Sequence, residues 1–269
     1  MKSETIRSKD RLLTVGMYPE NCRELRFVYN KKYESLYKWP EDSHLLLSFS
    51  RIMGSKPKPS IQNWIKTVGK EEAERIIEES KRIGTLMHTY LETSLWKFCN
   101  IQYQALPPIV APHGKDPQEI KKASAMGSII LQEGLKNKLQ EVWGIEAHVY
   151  FDHYFRGTID LVGVYNNKPC IVDFKQTRNP KKREWVEEHF MQLACYGMSH
   201  NHLCKTKIEQ GIILMCSRDL QYQEFKLEGK EWKHYCHAFL KELKEYVDEE
   251  YTITKKRWDS INQTMKELI

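Results

Sequence analysis

Two short stretches carry residue types that could do chemistry together: Arg156-Gly-Thr-Ile-Asp160 and Ile171-Val-Asp173-Phe-Lys175. They are separated by the length of a hairpin, so Asp160 and Asp173 can converge from paired strands. Asp173 and Lys175 are two residues apart and share one face of a strand. A pair of hard carboxylate oxygens suits a Mg²⁺ that keeps its other positions for water and phosphate. A neighbouring lysine can hold or activate the attacking water, or offset charge in the transition state. Glu146, on the preceding strand, could add a carboxylate. Gln192 and Tyr196 follow on a helix, one turn apart and on one face. Taken singly, each residue has an ordinary account as a turn, cap or solvated charge; the ordered set is what points to chemistry. Just past Lys175 come Arg178, Lys181, Lys182 and Arg183 around Asn179-Pro180. A basic loop there could hold backbone phosphates, or serve only as a solvated loop.

The elements that must position these groups follow from composition and period. Arg26 to Tyr37 alternates aromatics around a polar turn at Asn30 to Lys32 and predicts a small hairpin. Its tyrosines 29, 33 and 37, with Trp39 and Lys31, Lys32 and Lys38, could stack bases or pair across the hairpin. Ile61 to Ile83 and Thr85 to Phe98 predict two helices. Leu106 to Pro117, with four prolines, predicts a long loop that could arch over a strand end. Pro117 to about Gln140 predicts a third helix. Strands follow at Ile145 to Phe151, Thr158 to Tyr165 and Pro169 to Phe174, with a turn at Asn166-Asn167. A helix over Arg183 to Ser199, strands at Ile208 to Cys216 and Gln221 to Leu227, and an amphipathic helix from Trp232 to Glu250, which the residues beyond could extend, complete the order. Helices, a strand meander, a helix, two strands and a helix make an α/β fold: a mixed central sheet flanked by helices, with an N-terminal helical extension.

The 269 residues carry 42 basic and 36 acidic side chains, a net charge of +6 that permits an anionic partner without requiring one. Seven cysteines with no CxxC pair argue against a disulfide scaffold, a structural zinc and an iron–sulfur cluster. Reduced thiols and the lack of an apolar leader or a 20-residue apolar run predict a cytoplasmic protein without membrane spans. His200-Asn-His202 with Cys204 could be drawn as a metal site; a helix-end turn is the preferred reading.

The ordered set resembles the PD-(D/E)xK nuclease superfamily, and within it the RecB-type exonucleases, nearest to the mitochondrial genome maintenance exonuclease type and similar phage and bacterial exonucleases. Five motifs carry the resemblance: Leu45 to Met53 with its serines, Ile83 to Glu92 with Gly84 and His88, Gly157 to Asp160, Asp173-Phe-Lys175, and Gln192 to Tyr196. No proline precedes Asp160, where the local sequence is Thr-Ile-Asp. The resemblance implies a restriction-endonuclease-like core at 83–269 behind an extension at 1–82. It implies that Asp160 and Asp173 bind metal, with the Phe174 carbonyl and His88 as further ligands and Lys175 working on the water. An imidazole ligand would admit Mn²⁺ as well as Mg²⁺; the competing account of His88 is a core histidine bonded to a backbone carbonyl. Glu92 would hold the His88 ring or be a surface carboxylate. Gln192 and Tyr196 would brace the catalytic strand or touch a phosphate. The implied activity is a DNA exonuclease acting on single-stranded ends in replication, recombination or repair, with a protein partner from those processes. A structure-specific endonuclease on the same core and a non-catalytic nucleic-acid-binding module stay open as alternatives.

Overall fold

The computed structural model describes residues 25–41, 43, 46–56, 58–99, 116–151 and 154–268, with side chains described as far as 250. Its elements run β1 (Val28–Tyr29), a 3₁₀ turn (Lys31–Leu36), β2 (Leu47–Ser48), α1 (Phe49–Gly54), α2 (Pro59–Val68) and α3 (Lys70–Phe98). Then come α4 (Pro117–Ile129), a π-helical turn (Ile130–Leu135), β3 (Leu139–Phe151), β4 (Phe155–Tyr165) and β5 (Lys168–Thr177). A short turn (Arg183–Trp185), α5 (Glu187–Cys204), β6 (Gln210–Ser217), β7 (Tyr222–Glu228) and α6 (Gly229–Leu268) complete the order.

The strands form one mixed sheet in the order β1-β3-β4-β5-β6-β7, with β2 also on β4. The β3-β4-β5 meander and the β6-β7 pair are antiparallel, and β5 runs parallel to β6. One face is covered by α3 and α4, whose Ile83, Met87, Leu91, Leu95 and Met126 pack with Val172, Phe174 and Leu214. The other is covered by α1, α5 and α6, whose Phe49, Phe190, Leu193 and Phe239 pack with Ile171, Ile213 and Met215. β6 lies beneath both layers and is buried at every position, Gln210 to Ser217, as expected of a parallel-paired strand covered on two faces. Among the described residues no helix is long and apolar enough to cross a membrane. The six described cysteines are free thiols.

Several boundaries differ from the sequence reading. Arg26 to Tyr37 is no hairpin. Val28 and Tyr29 pair in parallel with Glu141 and Val142 of β3. The Asn30 side chain then accepts the Lys32 amide at 3.1 Å and starts the 3₁₀ turn, the local capping that asparagine favours. Tyr33 and Tyr37 therefore turn inward onto His200, at 5.4 and 5.8 Å between ring centroids, instead of pairing across strands. The helical stretch begun at Ile61 breaks at Gly69, whose φ of +87° ends α2, a conformation glycine adopts without a steric penalty. No break falls at Gly84: α3 is one helix of 29 residues. Packing of Ile83, Met87 and Leu91 at 0% exposure outweighs a glycine penalty of about 1 kcal/mol. The division expected at 82/83 lies inside this helix. The third helix, expected to reach about Gln140, ends with the π-helical turn at Leu135, and β3 begins at Leu139, six residues before Ile145. Residues 1–24, Leu45 and the proline-rich stretch 106–115 lie outside the described residues, so the arching loop does as well.

Candidate active site

The site forms where β4 and β5 part. Their ladder runs from Tyr165–Lys168 to Leu161–Val172 and stops there. The next position in register would be Asp160 opposite Asp173. Beyond it β5 continues along β6 to Thr177, while β4 is taken up on the same edge by β2, at Leu47–Phe155 and Ser48–Arg156. A wedge therefore opens between two strands that each keep another neighbour. The Phe174 amide, left without a ladder acceptor, donates to Asp160 Oδ2 at 2.7 Å across the gap.

β3 and β4 also turn over together at this point. Ile145 and Leu161 pack on the α3 side, whereas Ala147 and Ile159, two residues along, pack on the α5 side. Glu146 and Asp160 face each other between those two pairs. Glu146 has φ +48°, a left-handed conformation that a non-glycine residue holds at a cost of about 1–3 kcal/mol and that concentrates at functional sites. The turnover groups Glu146 with Asp160 and with His88 of α3: one donor atom from each lies within 4.8 Å of the others. A divalent ion bound at roughly 2.0–2.6 Å spans donors up to about 4–5 Å apart, so one ion can serve all three. His88 Nδ1 is 3.5 Å from Asp160 Oδ1, and among the described residues no backbone carbonyl holds its ring. The ring also lies 6.3 Å from that of Phe174. Glu92, one turn on, is half-buried.

Asp173 stands beside this trio and not within it. It alternates with Val172 and Phe174, so Asp173 and Lys175 share the α5 side of β5 with Ile171. Asp173 is 3% exposed. Its Oδ1 takes the Lys175 ammonium at 2.6 Å, and its buried Oδ2 has no hydrogen-bond partner among the described residues. A bare, buried carboxylate oxygen is costly unless a cation meets it. Together with a nitrogen and two carboxylates nearby, it fits a divalent metal. Burial pushes the Asp173 carboxyl above its usual range, Lys175 pulls it down and Asp160 pushes it up. Burial works to lower Lys175, but Asp173 and Asp160 outweigh it, so the ammonium is raised and stays protonated.

On the α5 side a cavity of about 470 Å³ opens, walled by the N-terminal segment (Trp39, Ser48, Ser50), by β4 (Arg156, Gly157, Thr158) and by α5 (Glu188, His189, Gln192, Tyr196). Gln192 Nε2 donates to Tyr196 Oη at 3.4 Å, and Tyr196 lies flat enough on β4 that a Cβ at Gly157 would sit 2.2 Å from its ring. His189 had no place in the sequence reading. It precedes Gln192 by one turn on the same helix face, which was the available signal. Burial and the Lys175 charge lower its pKa to about 4, so it is neutral at pH 7. Arg156 was likewise passed over as the first residue of a motif; its guanidinium lies 4.5 Å from the Trp39 ring centroid.

The basic loop divides. Arg178, Lys181, Lys182 and Arg183 are all exposed. Arg183 is engaged internally, with Glu231 at 2.7 Å and the Lys226 carbonyl at 3.0 Å. His200 is buried at the end of α5, between Tyr37 and Thr206, and is part of the packing there.

A family model described as the PD-(D/E)XK nuclease superfamily matches residues 65–269. No curated protein matches the sequence. A solved structure, "Crystal structure of SSO0001", is similar over 79% of this chain and 81% of that chain, at 14% identity and a TM-score of 0.34, a likeness too slight to carry a conclusion.

Proposed function

Because the chain belongs to the PD-(D/E)XK nuclease superfamily, whose members use divalent metals on DNA, we propose that it is a DNA exonuclease hydrolysing phosphodiester bonds at single-stranded ends. The observation that supports this is the wedge between β4 and β5, which gathers His88, Glu146 and Asp160 beside the bare Oδ2 of Asp173. In this reading those four groups hold Mg²⁺ or Mn²⁺, with the Phe174 carbonyl as a further donor. Bound there, the cation supplies positive charge to the phosphate oxygens. Lys175 is kept protonated by its carboxylate neighbours. It therefore acts as a donor, orienting the attacking water and meeting the charge that builds on the phosphate. Attack forms the bond from water oxygen to phosphorus and breaks the bond to the leaving nucleotide's oxygen; the water's proton passes to solvent and the leaving oxygen takes one from solvent. Gln192 and Tyr196 keep the cavity wall in place beside β4. In this reading the cavity bounded by the N-terminal segment receives the strand end. Arg178, Lys181 and Lys182 would hold the strand's phosphates. DNA replication, recombination or repair is the setting such an activity fits, with a protein partner from one of those processes.

The test is a gel assay on end-labelled single-stranded DNA, duplex DNA and a single-stranded circle, with Mg²⁺ or Mn²⁺. Linear single strands should be degraded and circles spared, and Asp173→Ala and Lys175→Ala should be inactive. Calorimetric titration of Asp173→Ala with Mn²⁺ should show weaker binding. Cut circles would move the assignment to an endonuclease on the same core. No cleavage and no Mn²⁺ uptake would leave a non-catalytic binding module.

A further inference from the structure

Trp185 closes the short turn between β5 and α5 and is 61% exposed. Burying an indole stabilises a fold by a few kcal/mol, and here that gain is forgone. Trp39, also exposed, has its ring engaged by His148 at 4.1 Å and by Arg156. Trp185, among the described residues, has no aromatic partner and no side-chain hydrogen bond, and the ammonium groups of Lys181 and Lys182 lie 6.0 and 5.5 Å from its ring centroid. Neither lysine is in an ion pair among the described residues.

The backbone beneath them is fixed. The Lys181 amide donates to Gln223 Oε1 at 2.7 Å, and Gln223 Nε2 donates back to the Lys181 carbonyl at 2.8 Å. The Trp185 amide donates to the Lys182 carbonyl at 3.0 Å. Arg183, on the same turn, is held by Glu231. One cation of the turn is thus used for anchoring, while two cations and an indole are presented on a rigid base. Lysines alone suit an anion. A bared indole adds a flat apolar face, and an unpaired nucleotide supplies both complements: a base to stack and a phosphate to meet the ammonium groups. Bases inside a duplex have their faces covered by neighbouring pairs.

We propose that Trp185, with Lys181 and Lys182, is a stacking platform for an unpaired base of single-stranded DNA, set between the strand that carries Lys175 and the helix that carries Gln192. The inference deepens the nuclease reading and rests on it for the identity of the ligand.

Binding would be measured in EDTA by fluorescence anisotropy on three labelled ligands: oligothymidylate, an abasic single strand of equal length, and a duplex. Trp185→Ala should bind oligothymidylate about 5- to 100-fold more weakly than wild type. Trp185→Phe should restore most of that loss, and the abasic strand and the duplex should bind wild type and Trp185→Ala alike. Lys181→Ala with Lys182→Ala should weaken all three and flatten the salt dependence. Unchanged affinity of Trp185→Ala for oligothymidylate, or an equal loss on the abasic strand, would overturn the platform. The nuclease reading is tested separately, by Mn²⁺-dependent hydrolysis of bis(p-nitrophenyl) phosphate by wild-type protein, which needs no base. Inertness there and on DNA would remove that reading without altering the stacking result.

Discussion

In the middle of β3 a glutamate adopts a backbone conformation that strands avoid, with φ +48° at Glu146. Glycine would hold that conformation without strain. Glu146→Gly should therefore raise the melting temperature of the metal-free protein by about 2 °C or more, while weakening Mn²⁺ binding at least tenfold. Thermal melts in EDTA beside calorimetric titration would check both halves; a variant that loses stability and keeps its metal would show the strain to be incidental. Glu146 was legible as a spare carboxylate on the strand before Asp160. Its left-handed backbone was not, because the usual signals for that conformation are glycine and asparagine. Asp160, Asp173 and Lys175 were legible as a set because alternation along a strand places residues two apart together. Their division was not: β4 and β5 part at the very pair, and that depends on β2 taking over the edge of β4.

At the scale of elements, helix α5 is registered on β4 through Tyr196 and Gly157. A Cβ at Gly157 would fall 2.2 Å from the Tyr196 ring, and an aromatic ring packed this closely cannot swing aside as a flexible side chain would. Gly157→Ala should cost about 1–3 kcal/mol of stability and lower cleavage by pushing α5 from the cavity. Urea denaturation and a rate at saturating metal would measure the two effects. Helix α3 is registered on the sheet by Gln176 of β5, which donates to the Ser80 carbonyl at 3.1 Å, and by Arg218 just past β6, which donates to Glu79 at 2.9 Å. Both contacts lie two turns or more before His88, so Arg218→Ala should weaken Mn²⁺ binding without touching a ligand. An unchanged metal affinity in that variant would remove this role. These ties were not legible beforehand, since each joins residues more than 90 positions apart. The sequence did yield β4, β5 and α5 to within about five residues, because their apolar periods are long, whereas β3 begins six residues before Ile145 and α6 runs on to Leu268. It misread Arg26 to Tyr37, where alternating aromatics imitate a hairpin and the side chains pack instead against α5 and β3.

Across the whole molecule the N-terminal segment meets α5 at Phe49 on Tyr196, at Lys58 on Glu188 and, near the end of the helix, through the His200 imidazole. The Asn201 amide donates to the Ile208 carbonyl, so its oxygen accepts both the Ile208 amide and the Thr206 hydroxyl. Thr206 must then accept from His200 Nδ1, and Nε2 must accept from the Tyr37 hydroxyl at 2.9 Å. The ring is neutral, and burial lowers its pKa to about 4; that of His189 is lowered equally far, by burial and then by Lys175. A histidine whose folded pKa lies below its unfolded value of about 6.5 contributes stability above pH 6.5 and loses it as pH falls towards 4. For the fully buried His200 this is on the order of 3 kcal/mol. Melting temperature should accordingly fall between pH 6.5 and 4, and His200→Gln should give a shallower fall over the same window.

The strands contributed by the first fifty residues have a further consequence for how the protein comes into being. β1 and β2 are made first, yet they pair with segments of β3 and β4 that follow about 110 residues later. Contacts of such separation form late, after the intervening chain has been synthesised and brought together. During translation the cavity wall must wait for the very strands it will enclose. The emerging chain is thus expected to hold no complete cutting centre until β3, β4, β5 and α5 have left the ribosome, and competence should arrive in one step after that.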